Sequence, residues 1–238
     1  MNVTYIHHSS FLAELDHIYL LFDYVGGPLP VLDPDKKLYV FVSHAHKDHF
    51  SPVIFELAGR YRNASYIIAD DVSKNQIPEE HSQRTQWISA GSTLEPENSG
   101  LRITAYHSTD QGVAFLLDYQ DQVIYHAGDL NNWRWNGEPD EWNRNMEKNY
   151  LAELEKIKAS GRHPDIAFLP LDGRQEEWFW LGFHQFMEIV GTELVFPMHF
   201  WRDYSVIDRL KALSCTTAYR DQIADIREQG QKFVYCKK

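Results

Sequence analysis

Short apolar runs broken by turn-forming residues fill the first third of the chain. Residues 11–15 and 18–22 flank Asp16 and His17, a pattern that predicts the two strands of a hairpin, and Gly26-Gly27-Pro28 then breaks the chain. Residues 38–42 predict a further strand. Ser51, followed by Pro52 and the apolar positions Val53, Ile54, Phe55 and Leu57, predicts a helix with Ser51 as its N-cap, and residues 66–69 predict the strand after it. A strand, a helix and a strand in succession imply a β-α-β unit, so part of the sheet is expected to be parallel.

A second strand group follows at residues 101–106, 113–119 and 122–125. It echoes the first, because His8-Ser9 and His107-Ser108 each precede a hairpin that is followed by an Asp, Asp23 or Asp129. Either the fold has two similar halves or two hairpins share a common form. Residues 144–159 carry Met146, Tyr150, Leu151, Leu154 and Ile157 at helical spacing. Beyond them the pattern predicts a strand at 165–169, a helix at 183–190, a strand at 194–196, helical stretches at 206–213 and 219–228, and a closing strand at 233–235. This alternation predicts an α/β chain with two sheets face to face and helices outside. With no linker or low-complexity segment, residues 1–238 are expected to form a single domain.

Composition narrows the class. The chain is 43% hydrophobic and 14% aromatic with seven Trp, which fits a globular protein. No run approaches the roughly 18 apolar residues of a spanning helix, and Met1-Asn2-Val3-Thr4-Tyr5 lacks the basic and apolar regions of a signal peptide. A cytoplasmic protein without membrane partners is therefore expected. Cys215 and Cys236 form no metal-type or redox-type spacing and read as reduced thiols. A net charge of −11 opposes broad binding to nucleic acid, which needs a basic surface.

The chemistry concentrates at His44-Ala45-His46-Lys47-Asp48-His49. In an extended chain His44 and His46 point to one side, and as the chain turns Asp48 and His49 can reach a neighbouring position. Imidazole nitrogen and carboxylate oxygen bind zinc and its neighbours at about 2.0–2.2 Å, so two ions about 3.5–4 Å apart can share such a segment. The plainer alternative is an exposed turn that happens to hold three of the 12 histidines, which so dense a cluster disfavours. One segment cannot saturate two ions. Further candidates follow predicted strands: His107, Asp129 and His199, with Asp203 or Asp172 the next carboxylates to test. Two divalent ions are the expected cofactors; zinc ranks first, and the donors also suit manganese and iron. The ions would offset the acidic protein locally, so an anionic small-molecule substrate is compatible with the charge.

The order His-x-His-x-Asp-His, then His, Gly-Asp and Pro-x-His resembles the metallo-β-lactamase-fold hydrolase superfamily over positions 44–199. Ile6-His7-His8-Ser9-Ser10-Phe11 and the short interval between Asp129 and His199 resemble its small bacterial ascorbate-phosphate lactonase-like branch, which is also similar to the N-acyl-phosphatidylethanolamine phospholipase D group. The resemblance implies an αββα sandwich of two mixed β-sheets flanked by helices. It also implies His44, His46 and His107 on one ion, Asp48, His49 and His199 on the other, and Asp129 bridging both. Asp48 and Asp129 would be the catalytic carboxylates of a hydrolase in which a metal-bridging hydroxide cleaves a small ester, lactone or phosphodiester. Iron-dependent redox or sulfur chemistry on the same fold, and a non-catalytic metal-binding scaffold, are the alternatives. Association into a homo-oligomer stays open.

His17, His81, His163 and His184 read as surface or packing residues, and His126 as core or as support behind a ligand. His8 and Trp133 are candidates for the pocket lining. Trp133, Trp135 and Trp142, among Asn131, Asn132, Arg134 and Asn136, suit either a substrate wall or packing against a neighbour. Trp178, Phe179, Trp180 and Phe183 pose the same choice, with core or interface preferred.

Overall fold

In the computed structural model, which describes residues 1–237, the backbone clusters into two compact units. One holds residues 1–89 together with the chain from Arg227 onward, and the other holds 90–226.

The first unit is a seven-stranded sheet made of β1 (Asn2–His7), β2 (Ser10–Glu14), β3 (Ile18–Phe22), β4 (Lys37–Val42), β5 (Ala64–Ala69), β6 (Thr85–Ile88) and β13 (Lys232–Val234). Its order is β13-β1-β2-β3-β4-β5-β6. Pairing is antiparallel from β13 to β3 and parallel from β3 to β6. Strand β4 is buried on both sides, which is why residues 38–42 are apolar without alternation. Leu38, Val40 and Val42 join a core with Leu12, Leu21, Ile54, Phe55, Tyr66 and Ile68. The helix expected after Ser51 is only one turn, α1 (Val53–Glu56), tightening into a 3-10 turn at Leu57–Gly59. Pro52, not Ser51, occupies the cap position, and Ser51 Oγ accepts from the Val53 amide at 3.4 Å. The β-branched pair Val53-Ile54 and the glycine at position 59 leave little to propagate a longer helix.

The second unit is a six-stranded sheet of β7 (Thr93–Leu94), β8 (Leu101–His107), β9 (Val113–Tyr119), β10 (Gln122–His126), β11 (Ile166–Pro170) and β12 (Leu194–Met198), ordered β12-β11-β10-β9-β8-β7. Here too an antiparallel stretch, β7 to β10, passes into a parallel one, β10 to β12. The two sheets thus share a layout, as the sequence echo suggested. Helix α2 (Asp140–Ala159) starts four residues earlier than expected, because Pro139 precedes it and Asp140 and Glu141 suit its positive end. Helices α3 (Leu181–Ile189) and α4 (Ser205–Ala212) match their expected positions. The stretch at 219–228 does not form the expected helix. Only Arg220–Gln222 turns as a 3-10 segment, and Ile223 bridges Val195 while the Ala224 amide donates to the Val195 carbonyl at 2.9 Å. Both sheets are mixed and helices flank them, in agreement with the expected fold class. Among the described residues no helix is long and apolar enough to cross a membrane.

Candidate metal centre

In the first unit the polar cluster hangs from the ends of β3 and β4. The segment after β4 is not extended: the amides of His49 and Phe50 both donate to the His46 carbonyl, at 3.0 and 2.8 Å, and close a turn. His44 and His46 stand two positions apart at the start of this turn, with His44 Nε2 3.0 Å from His46 Nδ1. The His44 and His49 rings lie 4.1 Å apart. Asp23, fully buried just after β3, accepts from the Ser43 amide at 2.8 Å, Ser43 Oγ at 2.7 Å and His49 Nδ1 at 2.7 Å. His44 Nδ1 lies 3.0 Å from the same Ser43 hydroxyl.

His8, expected to line a pocket, is fully buried, with its Nε2 3.3 Å from Asp48 Oδ2. One donor atom each from His8, Asp48 and His49 lies within 4.8 Å of the others, so His8 stands beside two sequence-predicted ligands. Burial alone would raise the Asp48 carboxyl, but its hydrogen bond with His8 and the charge of His49 hold it below the usual carboxylate range. Asp48 is therefore anionic at neutral pH.

In the second unit the candidate groups follow strand ends. Asp129 comes after β10 and His199 after β12, and His199 Nε2 lies 3.5 Å from Asp129 Oδ1. His8, Asp23 and His199 all hold positive φ, at 50°, 44° and 63°, a strained setting for non-glycine residues that recurs at functional sites. Asp172, just beyond β11, accepts from His199 Nδ1 at 3.0 Å. It also accepts from the Arg174 amide and from Arg174 Nε at 2.9 Å. Burial works against its ionisation, yet the hydrogen bonds from His199 and Arg174 bring its carboxyl down to about 2. Asp110, absent from the sequence-predicted set, offers an oxygen within 4.8 Å of one from Asp129.

His107, a further predicted ligand, is the last residue of β8. Its side chain is exposed, its Nδ1 donates to the Ser108 carbonyl at 2.6 Å, and among the described residues it joins no cluster of three or more metal-capable groups. That bond leaves its Nε2 as the nitrogen with a lone pair. His126 is fully buried against Phe168, and its Nδ1 accepts from the Gly128 amide at 3.1 Å, a packing role. His81 stacks on Phe55 and His184 Nδ1 lies 2.9 Å from the Tyr219 hydroxyl, also as packing residues.

Trp133 donates from Nε1 to the Asp129 carbonyl at 2.8 Å, and its ring meets His199 edge-on at 5.2 Å. Trp135 stacks parallel to it at 6.0 Å. The loop that carries them is fastened along its length. Gln175 Nε2 donates to the Asn132 and Arg134 carbonyls, Asn143 bonds the backbone of Trp135 in both directions, and the Arg134 guanidinium lies 3.9 Å over Trp178.

Sequence reasoning missed Asp23, Ser43, Asp110 and Arg174. Asp23 had one weak signal, its place directly after a strand in the echoed pattern; the others had none.

Comparison with known proteins fits this arrangement. Residues 2–141 match the family described as Beta-lactamase superfamily domain. A UPF0173 metal-dependent hydrolase of Methanopyrus kandleri is 25% identical over 228 residues, 84% of each chain. Among solved structures, Igni18, a metallo hydrolase of Ignicoccus hospitalis, aligns with a TM-score of 0.67 at 18% identity, covering 100% of this chain and 99% of its own. The metallo-β-lactamase fold protein YhfI of Bacillus subtilis aligns with a TM-score of 0.61 at 13% identity, covering 98% of both chains. The family match takes in more than half of the sequence and the structural likeness runs along nearly all of it, so this chain belongs to the β-lactamase superfamily and has the metallo-β-lactamase fold.

Proposed function

We propose that the chain is a metal-dependent hydrolase that holds two divalent ions and cleaves a small ester, lactone or phosphodiester in the cytoplasm. The observation that carries this reading is the histidine turn after β4, where His44, His46, Asp48 and His49 crowd together with nitrogen and oxygen donors and no thiolate. Such donors fit zinc, manganese or ferrous iron. His44, His46 and His107 would hold one ion, Asp48, His49 and His199 the other, and Asp129 both. When bound, the ions supply a lowered pKa for water and polarise the scissile carbonyl or phosphoryl group. The names of the curated relatives, metal-dependent hydrolases, support the reaction class. The bond type rests on the likeness of the N-terminal motif to the lactonase-like branch.

The chain's own groups have separable tasks. Asp48 enters the reaction as an anion and, held by its contact with His8, can orient the attacking water. Asp23 and Ser43 orient His49 and His44. Trp133 stands against His199, where its ring keeps water from one side of that imidazole.

The test is elemental analysis of protein purified without added metal, followed by a panel of lactones, phosphodiesters and thioesters. Two equivalents of zinc or manganese with turnover of one of these classes is expected. A chain that takes up no metal, or an iron form that consumes O₂ and hydrolyses nothing, overturns the reading.

A further inference from the structure

The imidazoles proposed as ligands differ in what stands behind them. His49 donates from Nδ1 to Asp23, a fully buried carboxylate, at 2.7 Å. His199 donates from Nδ1 to Asp172, 1% exposed, at 3.0 Å. His107 instead donates to a backbone carbonyl, and His44 sits against the Ser43 hydroxyl, which itself donates to Asp23. A carboxylate accepts and cannot donate, so it fixes the Nδ1–H tautomer and leaves Nε2 as a more basic lone pair. A neutral oxygen fixes the tautomer with less effect on basicity.

We infer that Asp172, clamped by Arg174, is a positioning residue for His199, as Asp23 is for His49, and that an imidazole backed by such a carboxylate binds its ion more tightly. The inference rests on the proposed ligand set. Arg174 secures the carboxylate with its amide and both ends of its Nε contact, 2.9 Å to either oxygen, which orients Asp172 toward the ring. Asp172 also caps the 3-10 turn Gly173–Trp178, a purely structural task. Asparagine can do that task equally well and cannot supply the charge. Asp172→Asn therefore separates the two roles.

The experiment has two arms. In the metal-free protein, long-range ¹H–¹⁵N NMR reads the His199 tautomer. The wild type should show a proton on Nδ1 shifted downfield by its bond to Asp172, and Asp172→Asn a loss of that shift, with an unchanged melting temperature. Titration of metal-free protein with zinc, repeated with cobalt to follow its visible spectrum, then reads both affinities. The variant should weaken one of two steps by about 10–100-fold and leave the other step in place, a loss typical for removal of such a partner. Arg174→Gln, which keeps the carboxylate but loosens it, should fall between the two. Identical affinities and Nδ1 proton shifts in wild type and Asp172→Asn overturn this inference while the two-metal reading stands. A fall in melting temperature with both steps weakened alike assigns Asp172 a structural role and overturns it too. A wild type that binds no zinc overturns both readings.

Discussion

Asp129 and Tyr66 illustrate opposite uses of a buried polar group. Asp129 is 4% exposed and carries the charge proposed to offset two divalent ions. Asp129→Asn keeps the shape and removes that charge. The variant is expected to hold at most one ion tightly and to lose roughly 100-fold or more of its hydrolysis, read as metal per chain beside kcat. Two retained ions with wild-type kcat would transfer the bridging role to another carboxylate. Tyr66 is fully buried and donates to the Ile54 carbonyl at 3.3 Å; burial, against the opposing charge of Arg84, pushes its hydroxyl up to about 12. Below about pH 10 the group is neutral in both folded and unfolded chains. Between pH 10 and 12 only the unfolded chain gives up the proton, so this contribution to stability is lost as pH rises through that window. Tyr66→Phe should cost about 1 kcal/mol at pH 8 for the missing hydrogen bond, and wild type should lose about 1–2 kcal/mol relative to the variant by pH 12, so that the variant draws level or overtakes it in urea titrations. A constant gap would remove Tyr66 from the alkaline response. At this scale the sequence revealed the local cluster, because His44 to His49 are neighbours in the chain. Asp23 and Asp172 act on histidines 26 and 27 positions away, and a lone Asp after a strand has no local signature.

Strands announced themselves better than helices. Buried strands such as β4 and β5 read as continuous apolar runs, whereas β6 and β7, short and half-exposed, left no pattern strong enough to see. The stretch at 219–228 looked helical but spends its backbone on β12, a choice made by tertiary contact that local propensity cannot report. The tryptophan loop is set by a similar distant constraint. Gly182, near the start of α3, lies so close to it that a Cβ there would stand 1.9 Å from Asn131 Oδ1 and 2.8 Å from the Asn132 amide nitrogen. The Tyr150 hydroxyl donates to the Gly182 carbonyl at 2.8 Å, so α3 cannot simply back away. Gly182→Ala should push the loop outward, costing about 2 kcal/mol and roughly 4–8 °C of melting temperature, with a change in tryptophan fluorescence. Unchanged fluorescence with a lowered melting point would mean that the loop holds its place and α3 yields.

For the molecule as a whole, acidic charge and metal affinity are linked. With a net charge of −11 and carboxylates among the proposed ligands, the metal-free chain should carry repulsion that bound cations relieve. Chelation should lower the melting temperature, and zinc restored at about 1,000 times its dissociation constant should return on the order of 4 kcal/mol. A melting curve indifferent to chelator would argue that no ion is held in the folded state.

The first strand of the chain waits for the last. Asn2, Val3 and Thr4 of β1 pair with Val234, Phe233 and Lys232 of β13, and the terminal ammonium of Met1 donates to the Tyr235 carbonyl at 3.0 Å. Residues 90–226, by contrast, form their sheet from one uninterrupted stretch. During synthesis, then, the unit that is translated first is completed last, and it leaves the ribosome with the outer edge of β1 open to other strands. The histidine turn rides on that late-closing sheet, so a chain truncated after residue 226 and released should present a protease-resistant 90–226 segment beside a digestible N-terminal one. Equal protection of both would mean that β1 to β6 close without β13, and that the last strand serves only as a seal.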